Sequence, residues 1–192
     1  MSIEFPELYV LRHGQTVWNL EGRIQGAMDS PLTDLGRAQA KRQNEILAAE
    51  PLDGFKCWTS PQGRALDTAR IAVSGLVSPI QIDARLAEIG VGEWEGKTRD
   101  AELMQAPLDD SGESDFDLYE RAPGGEGFAA LRARCQLLLN DLDGPAVLVT
   151  HGMTSRMLRL ILQNMDTSEL GRVEGGQGVV FHIKDGACRK LV

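Results

Sequence analysis

Short apolar segments that alternate with amphipathic stretches constrain the fold of this chain more than any other feature. Alternation of this kind is typical of an α/β sheet that is covered by helices on both faces. The apolar runs are as short as buried strands, and the amphipathic stretches repeat at threes and fours as helices do. Strands are predicted at residues 7–11, 55–59, 80–82, 146–150 and 179–183, with a short partner near 188–192, and helices at 34–49, 61–74 and 128–142 and from Gly152 onward.

We therefore expect a three-layer α/β sandwich with a mostly parallel central sheet. A chain of 192 residues is long enough for one ordinary domain with a substantial core, so residues 1–192 are predicted to form a single domain. Residues 97–127 interrupt the pattern with an acidic run and a Pro-Gly-Gly turn. We interpret them as an excursion that forms a lid over one end of the sheet.

Composition narrows the classes of partner. The formal net charge is −8, which argues against a general nucleic-acid or anionic-membrane binder, and no apolar run is long enough to span a bilayer. The three cysteines have no close spacing, so we expect reduced thiols in a cytoplasmic protein, and the acidic amino terminus does not resemble a signal peptide. Nothing in the pattern decides between a monomer and a homodimer.

Two of the three histidines occupy equivalent places in the pattern. His13 follows the first predicted strand, His151 follows the strand at 146–150, and each is followed at once by glycine. Ligands of open α/β sheets bind at the carboxyl ends of the strands, so both imidazoles would reach one crevice if these strands are neighbours. His182 lies inside a strand pattern and is predicted to be structural.

Two arginines and one helix start add positive charge to the same place. Arg12 precedes His13, and Arg64 follows the strand at 55–59. A guanidinium offers a planar fork of donors that matches phosphate oxygens, and the free amides of a helix that begins at Gly152 also favour an anion. Two cations and two imidazoles around one point suit a phosphoryl group, with one histidine as nucleophile. The spacings that metal sites usually show, such as HxxxH, HExxH and CxxC, are missing, so no metal and no other cofactor is expected.

The same residues lie inside a longer ordered set of motifs. Leu-Arg-His-Gly-Gln-Thr at 11–16 is followed by Gly-Arg-Ile-Gln-Gly at 22–26, Ser60-Pro61, Arg64-Ala65, Leu-Ala-Glu at 86–88 and Val-Thr-His-Gly at 149–152. This set resembles the signature of the histidine phosphatase superfamily, the phosphoglycerate mutase-like enzymes. The resemblance covers most of the chain.

The resemblance implies a role for each matching position. His13 matches the histidine that becomes phosphorylated, and Glu88 matches the acid that protonates the leaving oxygen. Arg12, Arg64 and His151 match the rest of the phosphate pocket. The positions that line the substrate side are matched by Asn19, Gln25 and Gly26. Gln62 and Gly63 stand where a leucine is usual before the second arginine, so local packing is expected to differ there.

The function that this resemblance implies is hydrolysis of a small phosphorylated metabolite through a phosphohistidine at His13. A cofactor-dependent phosphoglycerate mutase would use the same pocket. Mutases of this kind typically carry Arg-His-Tyr-Gly after the acid, whereas Ile-Gly-Val-Gly follows Glu88. A non-catalytic phosphate-binding module is the third alternative. Bulky side chains of the excursion are expected to fill its own small core rather than to touch substrate, namely Trp94, Met104, Phe116 and Tyr119.

Overall fold

A computed structural model describes residues 5–105 and 117–192. The strands are β1 (Leu8–Arg12), β2 (Lys56–Thr59), β3 (Ile80–Ile82), β4 (Ala146–Thr150), β5 (Val180–Lys184) and β6 (Ala187–Leu191). The helices are α1 (Val17–Leu20), α2 (Asp34–Ala48), α3 (Gly63–Ala72), α4 (Arg99–Gln105), α5 (Gly127–Asp141) and α6 (Gly152–Leu162), and short 3-10 turns lie at Ala84–Leu86, Gly92–Trp94, Asp117–Tyr119 and Thr167–Arg172.

The strands form one mixed sheet in the order β3-β2-β4-β1-β5-β6. The first four strands of that order are parallel, while β5 is antiparallel to β1 and β6 is antiparallel to β5. Parallel strands buried on both faces carry apolar side chains at nearly every position. The central strands β1 and β4 follow this rule, since every side chain of β4 is buried. The prediction of a mostly parallel sheet is confirmed.

Two apolar layers sandwich the sheet. Leu8 and Val10 point to the side of α5 and α6, whereas Tyr9 and Leu11 point to the side of α2 and α3. This alternation is the two-residue period of a strand, and it places helices on both faces. The three-layer architecture predicted from the sequence is therefore confirmed.

Most predicted elements lie within one or two residues of the observed ones. Thr33 caps α2 as expected, because its side chain accepts a hydrogen bond from the amide of Gly36. The prediction that Pro61 lies in the first turn of α3 is wrong: Gln62 is the residue before the helix, which begins at Gly63. The Pro61 position belongs to the turn that leaves β2.

The structure describes the two ends of the predicted excursion at 97–127. One end contains α4, and the other contains the 3-10 turn at Asp117–Tyr119 and leads into α5. Residues 106–116, which include Phe116, lie outside the described residues, as does the side chain of Met104. Trp94 is buried in the main core on the α5 side of the sheet, rather than in a separate small core of the excursion as predicted.

A close backbone approach connects β1 to the start of α2. A Cβ atom added to Gly14 would lie 2.1 Å from the carbonyl oxygen of Gly36, and one added to Gly36 would lie 2.0 Å from the carbonyl oxygen of Gln15. Such distances are impossible for a side chain, so glycine is required at both positions. The segment after His13 is thereby held directly against α2.

Candidate active site

Three parallel strands deliver polar side chains to one edge of the sheet. β1 ends before His13, β2 before Ser60 and β4 before His151. Arg12 and Thr150 are register partners, and the amide of His13 donates to the carbonyl of Thr150 at 2.9 Å. The two histidines are therefore neighbours, with ring centroids 5.1 Å apart.

The imidazole of His13 is oriented by its own loop. Its Nδ1 lies 2.7 Å from the carbonyl oxygen of Gly14. A carbonyl can only accept, so Nδ1 carries the proton and Nε2 keeps its lone pair. Burial, and then the positive charges of Arg12 and Arg64, hold the pKa of His13 well below its usual value. The side chain is therefore a neutral imidazole with a nucleophilic nitrogen.

His151 is equally enclosed. Its Nε2 lies 2.7 Å from the hydroxyl of Ser60, which in turn accepts from the amide of Gln62. Its Nδ1 is buried and has no hydrogen-bond partner among the described residues. Burial, followed by the charge of Arg64, lowers the pKa of His151 well below its usual value. His151 is thus a neutral imidazole with one nitrogen left for a ligand.

Arg64 is a buried cation held in a fixed orientation. Its side chain is 1% exposed. Its Nη1 donates to the carbonyl of Met28 at 2.6 Å and to the Asp29 carboxylate at 2.9 Å, and its Nη2 donates to the carbonyl of Gly26 at 3.0 Å. Burial lowers the pKa of Arg64, while the charges of Glu88 and Asp29 oppose that shift. Its Nε is buried without a partner in the described part of the chain.

Arg12 lies on the other side of the cleft, against the first residue of α6. A Cβ atom on Gly152 would lie 3.5 Å from Cζ of Arg12. Burial lowers the pKa of Arg12, and the charge of Glu88 opposes that shift in part. The Nε atom of Arg12 has no hydrogen-bond partner among residues 5–105 and 117–192. Buried donors without partners are costly, so Arg12 and Arg64 are prepared to receive an anion.

Glu88 lies at the amino terminus of α6. Its carboxylate accepts from the amide of Ile89 at 3.0 Å, from the amide of Met153 at 3.2 Å, and from the amide and hydroxyl of Thr154 at 3.1 and 3.2 Å. A helix amino terminus favours such a carboxylate. The carboxyl group is also 3.4 Å from the Cβ position of Gly152, next to Arg12, so it faces the cleft.

The cleft itself encloses about 60 Å³ and contains most of the sequence-predicted site. The structure brings together seven of the predicted residues as lining, namely Arg12, His13, Asn19, Gln25, Gly26, Arg64 and Glu88. His151 touches this set through its ring contact with His13, and Gly152 touches it through Arg12 and Glu88. None of the predicted site residues lies elsewhere.

Two residues that complete the site, Gln62 and Gln177, were not assigned to it from the sequence. Gln62 joins the two walls, because its Nε2 donates to the carbonyl of Gly26 and its Oε1 accepts from the amide of Glu88. Gln177 donates to the carbonyl of His13 and to Oδ1 of Asn19, both at 3.2 Å. The departure from leucine at position 62 was a usable signal for the first, whereas nothing in the pattern around 177 pointed to the second.

Three further residues line the cleft. Arg23 and Tyr119 border it together with Ile24. The expectation that Tyr119 only fills a core of the excursion is wrong: the ring packs against the core on the α5 side and also lines the cleft. The 3-10 turn that carries Tyr119 lies next to the start of α4. The guanidinium of Arg99 is 5.9 Å from the centre of the Tyr119 ring.

No three His, Cys, Asp or Glu side chains come together as a metal site would need, within the part of the chain that the structure describes. Nor does that part contain a helix long and apolar enough to cross a bilayer.

The sequence that builds this cleft matches a known family over nearly the whole chain. The model of the histidine phosphatase superfamily, branch 1, matches residues 8–189, and the chain belongs to that superfamily.

The chain is similar to phosphatases and to phosphoglycerate mutases. The glucosyl-3-phosphoglycerate phosphatase of Mycolicibacterium vanbaalenii is 36% identical over 182 residues, covering 82% of this chain and 76% of the relative. A 2,3-bisphosphoglycerate-dependent phosphoglycerate mutase of Gloeobacter violaceus is 31% identical, covering 87% and 80%. The structure of the alpha-ribazole phosphatase from Shigella flexneri superposes with a TM-score of 0.79 at 27% identity, covering 96% and 95%. These relatives differ in reaction and in substrate, so the family alone does not choose between them.

Proposed function

We propose that this protein is a phosphomonoesterase that hydrolyses a small phosphorylated metabolite through a phosphohistidine at His13. The observation that carries the proposal is the state of His13: a buried neutral imidazole with its Nδ1 proton held by Gly14 and its Nε2 free for attack. A neutral imidazole can form a covalent phospho-intermediate. The phosphatase names of relatives support hydrolysis as the outcome.

In the first step, Nε2 of His13 forms a bond to phosphorus while the ester P–O bond breaks. Negative charge on the transferring phosphoryl group is stabilised by Arg12 and Arg64, and by the Nδ1 proton of His151 in the tautomer whose Nε2 accepts from the Ser60 hydroxyl. Two guanidiniums thus supply the positive charge that metal ions supply in many other phosphoryl-transfer enzymes. We propose that no cofactor is required.

Glu88 handles the proton in both steps. In the first step, the carboxyl group of Glu88 gives its proton to the leaving alkoxide. In the second step, a water loses its proton to Glu88 as its oxygen attacks phosphorus, the P–N bond breaks and inorganic phosphate leaves. The helix amides that hold Glu88 keep its position the same in both steps.

The test is replacement of the nucleophile. His13→Ala is expected to abolish both phosphate release from p-nitrophenyl phosphate and acid-labile labelling of the protein by a radioactive phosphomonoester. Wild-type activity in this variant would disprove the proposal, and binding without turnover in the wild type would identify a non-catalytic phosphate-binding module instead.

A mutase is the second candidate, because a named mutase is among the relatives. Against it, the two positions after Glu88 are the fully buried Ile89 and then Gly90, which give a substrate carboxylate no polar side chain. Incubation with 3-phosphoglycerate and a catalytic amount of 2,3-bisphosphoglycerate separates the two reactions. A phosphatase releases phosphate, whereas a mutase forms 2-phosphoglycerate without net release.

A further inference from the structure

A second cavity lies away from the catalytic cleft, between the carboxyl-terminal half of α6, the segment after it, and the β5–β6 hairpin. Its volume is about 190 Å³, which is far above the roughly 15 Å³ that one water needs. It shares no lining residue with the catalytic cleft. We call it the Arg159 pocket after the residue that dominates it; the other residues used below are Arg172, Glu174, Phe181, Cys188 and Lys190.

Arg159 is a buried guanidinium that its surroundings only partly satisfy. The residue is 2% exposed, its Nε donates to the carbonyl of Ser155 at 3.1 Å, and its Cζ lies 3.7 Å from the ring centre of Phe181. Its Nη2 is buried and has no hydrogen-bond partner among the described residues. Burial lowers the pKa of Arg159 to about 10, with Arg156 adding to the shift and the neighbouring Cys188 opposing it.

The charge around the pocket is positive although the whole chain is acidic. Arg159, Arg172 and Lys190 contribute three cations, and Glu174 is the one carboxylate in the lining. Glu174 forms its ion pair with Lys190, and Arg172 pairs loosely with Glu169 outside the pocket. Among residues 5–105 and 117–192, no carboxylate lies within ion-pair distance of Arg159, and the one carboxylate in the lining, Glu174, is already paired with Lys190. The buried positive charge of Arg159 therefore has no ion-pair partner of its own.

We propose that the Arg159 pocket binds a small oxyanion, with a phosphate or carboxylate oxygen accepting from Nη2 of Arg159. Leaving a charged donor buried and unpaired is costly, and an anion in the cavity removes that cost. The face of Phe181 holds the guanidinium plane in place, so the fork is already oriented for an oxyanion. The positively charged rim at Lys190 and Arg172 favours entry of an anion over a cation.

Cys188 gives a local measurement, because it lines the pocket and is a half-buried free thiol, whereas Cys57 and Cys135 are buried in the core. The rate of Cys188 alkylation by iodoacetamide is followed by mass spectrometry at pH 8.5, with inorganic phosphate or acetate against chloride at equal ionic strength. If an occupied pocket shields the thiol, a concentration of about three times Kd slows alkylation about fourfold. If only phosphate slows alkylation, the pocket is selective for phosphate. If acetate slows it as well, the pocket accepts small oxyanions in general.

Two variants locate the effect. Arg159→Met keeps an unbranched apolar side chain but removes the guanidinium, and it is expected to remove the shielding. Lys190→Gln, at the rim, is expected to weaken the shielding severalfold because Glu174 is left unpaired. Thermal melts check the fold of both, and the rim variant still tests the proposal if the buried one does not fold.

An equal alkylation rate in phosphate, acetate and chloride for the wild type would overturn the proposal. So would shielding that persists unchanged in folded Arg159→Met, since the effect would then come from phosphate in the catalytic cleft. If Arg159→Met does not fold, shielding that Lys190→Gln leaves unchanged would also contradict the proposal.

Discussion

The inner and the outer parts of the catalytic cleft are built in different ways. The inner part consists of side chains at strand ends and helix starts, and each is held by at least one hydrogen bond. Of these, His13, Arg64 and His151 are buried and Glu88 is half-buried. The outer part contains Arg23, whose side chain is 44% exposed, and Tyr119, which is carried by the excursion. The contrast indicates that the sheet fixes the chemistry at phosphorus, while less constrained segments contact the rest of the substrate.

After the loss of the nucleophile itself, the largest effect is expected at Glu88. Glu88→Gln keeps the size of the side chain but cannot donate a proton, so turnover of an alkyl phosphate such as glycerol phosphate should fall by about 10²–10⁴. The loss in kcat/KM, which does not include the second step where Glu88 acts as base, should be much smaller for p-nitrophenyl phosphate, because its leaving group departs without protonation. Steady-state kinetics with both substrates checks this, and equal losses would contradict the role of Glu88 as acid.

Arg64 should come next. Arg64→Lys keeps a positive charge but loses the fork that Gly26, Met28 and Asp29 orient, and we expect kcat to fall by about 10²–10³. Arg70→Lys, on the exposed side of the same helix, is the matched control and should leave kcat unchanged. A comparable loss in both variants would show that the helix, rather than the buried guanidinium, is sensitive to substitution.

The buried histidines should make stability depend on pH. In the folded protein the pKa values of His13 and His151 are depressed, so both stay neutral, whereas in the unfolded chain both take up protons below about pH 6.5. The unfolded state then binds more protons, so the free energy of unfolding falls as the pH falls, by up to about 3 kcal/mol per pH unit for two groups.

Urea unfolding at pH 7.5, 6.5 and 5.5 measures this dependence. His151→Gln should remove about half of the slope if each histidine contributes equally. A slope that does not change in that variant would mean that other groups cause the pH dependence.

The smallest effects are expected at the outer part. Tyr119→Phe and Arg23→Ala should change KM by less than about tenfold and kcat less still, because these groups bind parts of the substrate that do not change during the reaction. Arg37→Ala, an exposed arginine on α2, is the control and should have no effect. A fall in kcat at the outer positions as large as that at Arg64 would erase the distinction between the two parts of the cleft.

The sequence predicted the inner part well because its residues follow strands. His13 and His151 each come directly after a buried apolar run, and parallel strands end at one edge, so position in the pattern translates into position in space. Glu88 could not be found in this way. It follows a 3-10 turn, and only the resemblance distinguished it from the other carboxylates.

The outer part was predicted poorly for a physical reason. Tyr119 lines the cleft from a segment without a regular period, and Gln177 reaches the carbonyl of His13 from another such segment. The sequence neighbours of these residues therefore say nothing about which way they face. The start of α3 was misplaced for a related reason: proline is favoured in the first turn of a helix, but it is also favoured in turns, and Pro61 lies in the turn.

The contact between Gly14 and Gly36 has a consequence for redesign of this scaffold. Enlarging either residue would force the first turn of α2 away from the loop behind His13, and the imidazole would lose the carbonyl that sets its tautomer. A library built to alter specificity should therefore leave both glycines untouched and place its diversity around Arg23 and Tyr119.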